Sequence, residues 1–128
     1  MVRSERVGVM TRILLKRAYA DPSDSDGYRI LVDRLWPRGL TKQQLEIEKW
    51  AKAVTPSSEL RKAWHHDPER FSEFAEHYRQ ELNQNPAVDE FLELLAQHPT
   101  VTFVYGAKNE EVNHAVVLRD YLLPQLQS

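Results

Sequence analysis

The sequence predicts an α/β fold, a small single domain over residues 10–128 with a sheet that has a parallel component and is flanked by helices. Three observations predict it. Two short apolar runs near the start, inside Thr11–Tyr19 and Tyr28–Leu35, have strand length and end in turn formers. A middle stretch then repeats a helix-start grammar of polar cap followed by proline, so helices are inserted between strand two and the last strand. A β-branched and aromatic run, Thr100–Tyr105, finally precedes one more amphipathic stretch. Strands separated by helices need crossover connections, and these favour parallel pairing.

Strand one centres on Ile13-Leu14-Leu15 between Arg12 and Lys16. Residues 20–27 are dense in Asp, Ser, Pro and Gly and form a loop. Strand two, Tyr28–Leu35, is stopped by Pro37, which has no N–H to give to a ladder, and Gly39 allows a positive φ at its exit. Thr41 with Gln44 reads as a capping box, and the spacing of Leu45, Ile47, Trp50 and Val54 predicts an amphipathic helix over Lys42–Ala53. Thr55-Pro56 opens a helix near Ser57–His65, Asp67-Pro68 one over Glu69–Asn83, and Asn85-Pro86 a further one with Val88, Phe91, Leu92 and Leu95 on its apolar face. His98-Pro99 breaks that helix before the last strand. Asn109 reads as the cap of a final helix over Glu110–Leu123.

Bulk properties narrow the function. Seventeen basic against nineteen acidic side chains give a net charge of −2, so no overall field attracts nucleic acid, and no reader motif is present. The absence of cysteine removes thiolate nucleophiles, Cys-ligated metals and disulfides, and it suits the cytoplasm. No apolar run approaches the roughly 18–20 residues of a membrane span. Residues 1–9 read as a flexible N-terminal extension. No cofactor motif and no metal-ligand spacing is present, because His65 and His66 diverge on a helix with no third ligand at hand.

Chemistry is expected where strands end, since open α/β sheets bind ligands beyond the carboxyl ends of their strands. The end of strand two carries Asp33, Arg34, Trp36 and Arg38: a carboxylate, two guanidinium forks suited to phosphate or carboxylate, and an indole face. The bland alternative is a surface ion pair between Asp33 and Arg34 beside a core-capping Trp36. The end of the last strand carries Tyr105-Gly106-Ala107-Lys108-Asn109, followed by Asn113-His114. A glycine-containing loop with a lysine before a helix start is a recipe for holding an anion, with His114 or Asp33 to move a proton. A third candidate is the cluster Ser57, Ser58, Glu59, Arg61, Trp64, His65 and His66, in which Arg61 and His65 are four residues apart on one helix face. A Gly-x-Ser-x-Gly turn is absent, so nucleophilic catalysis has little support.

Asp26–Gly39, Thr55–Arg61 and Tyr105–Asn109 with Asn113-His114-Ala115 together resemble the YeaO-like bacterial proteins, a family of unknown function designated DUF488. The resemblance runs from Met10 onward without departures in these motifs. It implies a small cytoplasmic α/β protein and carries no settled activity. The leading expectation is therefore an enzyme or binding domain for a small anionic, phosphate- or nucleotide-like molecule. Arg34, Arg38 and Lys108 hold the anion, Arg61, Asn109 and Asn113 stand nearby, and Trp36 or Tyr105 stacks on a ring. The alternative is a non-catalytic interaction or regulatory module in which Trp50, Trp64, Phe71 and Phe74 form an exposed surface for a homodimer or another partner.

Overall fold

The computed structural model describes residues 10–127, so the expected N-terminal extension lies outside the described residues. Four strands form one sheet in the order β1-β4-β2-β3, with every pairing parallel. They are β1 (Arg12–Arg17), β2 (Tyr28–Leu31), β3 (Lys49–Trp50) and β4 (Thr100–Tyr105). The helices are α1 (Lys42–Leu45), α2 (Ser58–Trp64), α3 (Phe71–Asn83), α4 (Ala87–Leu95) and α5 (His114–Leu126). The α/β class, the parallel sheet and the helices between β2 and β4 agree with the sequence reading.

The two faces of the sheet are covered unequally. Ile13, Ile30, Val32, Val101, Phe103 and Tyr105 pack with residues of α2 to α5 into the larger core, in which Tyr78, Leu95, Leu118 and Leu122 are fully buried. The Tyr78 hydroxyl donates to Val54 O at 2.6 Å, which satisfies its one polar atom inside that core. On the opposite face Leu31 and Val104 pack against Ala18 and Leu45, with Trp36, Leu40, Ile47 and Trp50 partly buried around them. That thinner cover comes from the loop after β2 and the single turn of α1.

The helix expected over Lys42–Ala53 is the main correction. Only Lys42–Leu45 is α-helical, capped as predicted by the Thr41–Gln44 box. Glu46 then takes a left-handed conformation with φ 50°, and the chain turns outward to add β3 beside β2. The cause lies inside strand two. The Arg29 side chain is buried, and its guanidinium donates to Leu45 O and Glu46 O as well as to Asp26 Oδ2 at 2.7 Å. It thereby supplies donors to the carbonyls at the end of α1, where helical N–H groups no longer reach. Glu48 N and Ala51 N donate instead to Arg29 O and Leu31 O, which fixes β3 on the sheet edge.

Smaller corrections follow from local chemistry. Strand two ends at Leu31 rather than Leu35, although Val32 N still donates to Val104 O. Ser57, not Thr55, caps α2, accepting the Leu60 N–H, while the Thr55 hydroxyl donates to Lys52 O. The final helix starts at His114 instead of Glu110, because Asn113 takes extended geometry and its side chain accepts the Val116 N–H. Asp67-Pro68 does open a turn as predicted, a 3₁₀ turn leading into α3.

Candidate functional site

β2 and β4 are adjacent and parallel, so their carboxyl ends deliver two segments to one place: Asp33–Pro37 after β2 and Gly106-Ala107 after β4. Together with the end of α2 and the start of α5 they enclose a cavity of about 280 Å³. Asp33, Arg34, Trp36, Arg61, His66, Gly106 and His114 are among its lining residues, with Tyr19 and Leu35 at 46% and 65% exposure beside them. Two wider grooves, about 470 Å³ between α2 and α3 and about 520 Å³ between β3 and α4, are larger but lie away from the strand ends. Position and chemistry favour the smaller one, because ligands of parallel sheets sit beyond the strand ends.

Asp33 forms the floor. Its Oδ2 accepts the Gly106 N–H at 2.8 Å, tying the end of β2 to the end of β4. A Cβ at residue 106 would lie 2.9 Å from that same oxygen, so glycine is what permits the approach. His114, the first residue of α5, brings Nε2 to 2.8 Å from Asp33 Oδ1 and 3.1 Å from Val32 O. Both neighbours are acceptors, so Nε2 is the protonated nitrogen. Its N–H is directed at Val32 O, and the buried Oδ1 is left without a hydrogen-bond donor. The Trp50 indole adds a 2.7 Å bond to Asp33 O and holds the backbone of this turn.

The walls are cationic and aromatic. Arg34 donates to Thr55 Oγ1 at 3.1 Å, and neither Arg34 nor Arg61 has a carboxylate partner among the described residues. Trp36 is fixed by its indole N–H on Leu40 O at 2.7 Å and by an edge contact with Trp50 at 5.5 Å. His66 stands past the end of α2, its ring 5.0 Å from that of Trp64. Burial, and then the charges of His114 and Arg61, hold its imidazole below the usual range, with Asp33 opposing them.

Of the residues singled out in the sequence, the fold brings Asp33, Arg34, Trp36, Arg61 and His114 to this cavity. The others serve elsewhere. Tyr105 is buried in the main core, and burial raises its phenol pKa. Asn109 accepts the Glu111 and Val112 N–H groups, and Asn113 caps α5, so both amides are spent on the chain itself. Lys108 is exposed and outside the cavity lining, because the turns over 109–113 separate its loop from the helix start. Arg38 is likewise absent from the lining, although its carbonyl accepts the Tyr19 hydroxyl at 2.9 Å. Trp64 and His66, which belong to the third cluster singled out in the sequence, also line the cavity, and Tyr19 joins them without having been singled out. His65-His66 is visible in the sequence, but a continuous helix would send the two rings apart. The left-handed break after Trp64 is what turns His66 to the cavity.

The aromatics of the helical middle form no exposed face. Trp64 and Phe74 are buried, their rings stacked at 4.0 Å, and Trp50 and Phe71 are half-buried. Among the described residues no cluster of His, Asp and Glu is placed to hold a metal ion, and no helix is long and apolar enough to cross a membrane.

Residues 12–128 match the family model described as the inactive DUF488-N3 subclade. The protein named Uncharacterized protein YeaO of Escherichia coli (strain K12) is 47% identical over 110 residues, covering 86% of this chain and 96% of that one. The Uncharacterized protein Rv3073c of Mycobacterium tuberculosis is 43% identical over 112 residues, covering 88% and 94%. No solved structure gives a significant match.

Proposed function

This chain belongs to the DUF488 family, in its inactive N3 subclade, and we propose that it is a binding protein for a small anionic molecule, phosphate-bearing or nucleotide-like. The cavity beyond β2 and β4 is the proposed site. One observation carries the reading: Arg34 and Arg61 line the same cavity without a carboxylate partner among the described residues. An oxyanion seated in the cavity accepts the forked N–H donors of both guanidinium groups. Asp33 does not neutralise them, since its oxygens face the Gly106 N–H and His114. The indole face of Trp36 offers a stacking surface for a ring. At about 280 Å³ the cavity suits a small metabolite and is too small for a dinucleotide.

Binding without turnover fits the subclade's description, and the lack of any cysteine leaves no thiolate nucleophile. A second reading, proton-transfer chemistry by His114 with Asp33, draws on their 2.8 Å contact at the cavity floor. The interaction-module reading has less support, because, of its four aromatics, Trp64 and Phe74 are buried and Trp50 and Phe71 are half-buried. We further propose that the protein acts in the cytoplasm, on the cysteine-free sequence.

A thermal-shift panel of nucleotides, sugar phosphates and carboxylates tests the reading. A ligand at about 100 times its Kd adds roughly 2.7 kcal/mol, a shift of several degrees. The shift should vanish in Arg61→Ala and survive in Lys108→Ala. A ligand that shifts all three equally would place binding elsewhere, and no shift across the panel would speak for a partner protein instead.

A further inference from the structure

Resting on the anion-binding reading above, we infer that His66 is a ligand-binding residue that takes up a proton when the anion binds, meeting it as an imidazolium. The backbone puts it there. His65 and His66 both have left-handed φ angles, 52° and 57°, a region uncommon outside glycine that histidine, like asparagine and aspartate, enters more readily than most side chains. The pair is held from both sides. His65 N donates to Arg61 O, Asp67 N donates to Trp64 O, and the Trp64 indole donates to Asp67 O at 2.7 Å. This double left-handed turn aims the second ring, that of His66, at the cavity, where it stands in the lining with Arg34 and Arg61.

The charged and titratable groups around His66 come from three elements. Asp33 and Arg34 follow β2, Arg61 and His65 belong to α2 and its end, and His114 begins α5. Burial is the largest influence on His66, with His114 and Arg61 adding like charge, and all three favour the neutral ring. An anion seated between Arg34, Arg61 and His66 reverses the local potential. It removes the like-charge penalty and gives an imidazolium N–H an oxygen to bond. Binding then raises the His66 pKa, and by linkage the bound state holds more protons than the free one. The sign follows directly: affinity strengthens as pH falls, between the bound pKa of His66 and its lower free value. Above and below that window it is flat.

This proton uptake is separable from ligand chemistry with sulfate, which stays a dianion across the titration range of histidine. Calorimetric titration of sulfate in two buffers of different ionisation enthalpy, between about pH 6 and 8, counts the protons taken up. The expected result is uptake approaching one proton in the wild type, with Kd falling by up to about tenfold per pH unit. His66→Asn tolerates the left-handed backbone and cannot become charged, so it should bind sulfate with no uptake. His66→Gly, which relaxes the same backbone, is a second variant with the same expectation. Sulfate binding without proton uptake would overturn the role of His66 and leave the anion site standing. Full uptake retained in both variants would overturn it too, in favour of His114 or His65. No sulfate binding to the folded protein at any pH would overturn this inference and the anion reading together.

Discussion

Replacing Arg29 with leucine should cost this fold a large part of its stability. Arg29 sits in β2 with 4% of its side chain exposed, paired at 2.7 Å with Asp26, whose side chain is 5% exposed. The same guanidinium donates to Leu45 O at 2.7 Å and reaches Glu46 O at 3.2 Å. Arg29→Leu therefore takes the buried partner from the Asp26 carboxylate, leaving it Lys16 at 2.8 Å and the Ser23 N–H, and strands two carbonyls at the left-handed end of α1. Breaking a buried ion pair from one side costs about 3–5 kcal/mol. Domains have only about 5–15 kcal/mol in total, and a chain of this size loses roughly 3–5 °C in Tm per kcal/mol, so Tm should fall by about 10–20 °C. Urea unfolding followed by circular dichroism measures the loss in the wild type, Arg29→Leu, Asp26→Asn and the double variant. The double variant should cost less than the sum of the singles by about 2 kcal/mol, since the neutral amide that replaces the Asp26 carboxylate no longer needs the guanidinium. A loss under about 1 kcal/mol for Arg29→Leu, or strict additivity, would refute the reasoning that this pair anchors the turn from α1 to β3.

Gly27→Ala should unfold the protein or nearly so, because φ is +66° and a Cβ would lie 2.3 Å from Thr100 O in the neighbouring backbone; circular dichroism at 25 °C checks it. Tyr78→Phe should cost about 1–2 kcal/mol in urea unfolding, since it leaves the buried Val54 O without its 2.6 Å donor. Acid should weaken the fold through Asp26. Burial pushes that carboxyl up, but bonds from Lys16, the Ser23 N–H and Arg29 outweigh it and leave the folded pKa below the ordinary 3.8. A depressed carboxyl contributes stability above its unfolded pKa and loses it as pH falls through the folded one. Asp26→Asn should accordingly flatten the fall in stability expected below about pH 4, which urea unfolding at about pH 3 and pH 6 measures.

Much of the architecture was legible because it rests on local signals. The alternation of apolar and turn-forming residues placed β1, β2 and β4 within a few residues, and the caps at Thr41 and Asp67 acted as read. What failed to show was set by contacts distant in sequence. Leu45, Ile47 and Trp50 fit a helical period, yet a turn and a two-residue strand bury the first and half-bury the other two, because Arg29, sixteen residues before Leu45, captures the end of α1. No period in the segment itself carries that information. The candidate site divides the same way. Asp33, Arg34, Trp36 and His114 were legible as residues at strand ends, where parallel pairing of β2 and β4 must bring them together. The loop after β4 misled, because the asparagines that looked available to a ligand cap turns and α5 instead. His66 was legible as a member of the cluster after Ser57, but the turn of its ring to the cavity was hidden by a helix end that no glycine marks.

The central claim is that an anion binds beyond the carboxyl ends of β2 and β4, between Arg34 and Arg61. The most direct measurement is a heteronuclear NMR titration of labelled protein with phosphate and with a nucleoside monophosphate, following backbone amides, arginine Nε–H groups and tryptophan indoles. The account predicts saturable shifts centred on Gly106, Arg34, Arg61, His66 and the Trp36 indole, with the α2–α3 and β3–α4 grooves unmoved. Shifts centred on either of those grooves, or none at saturating ligand, would contradict it.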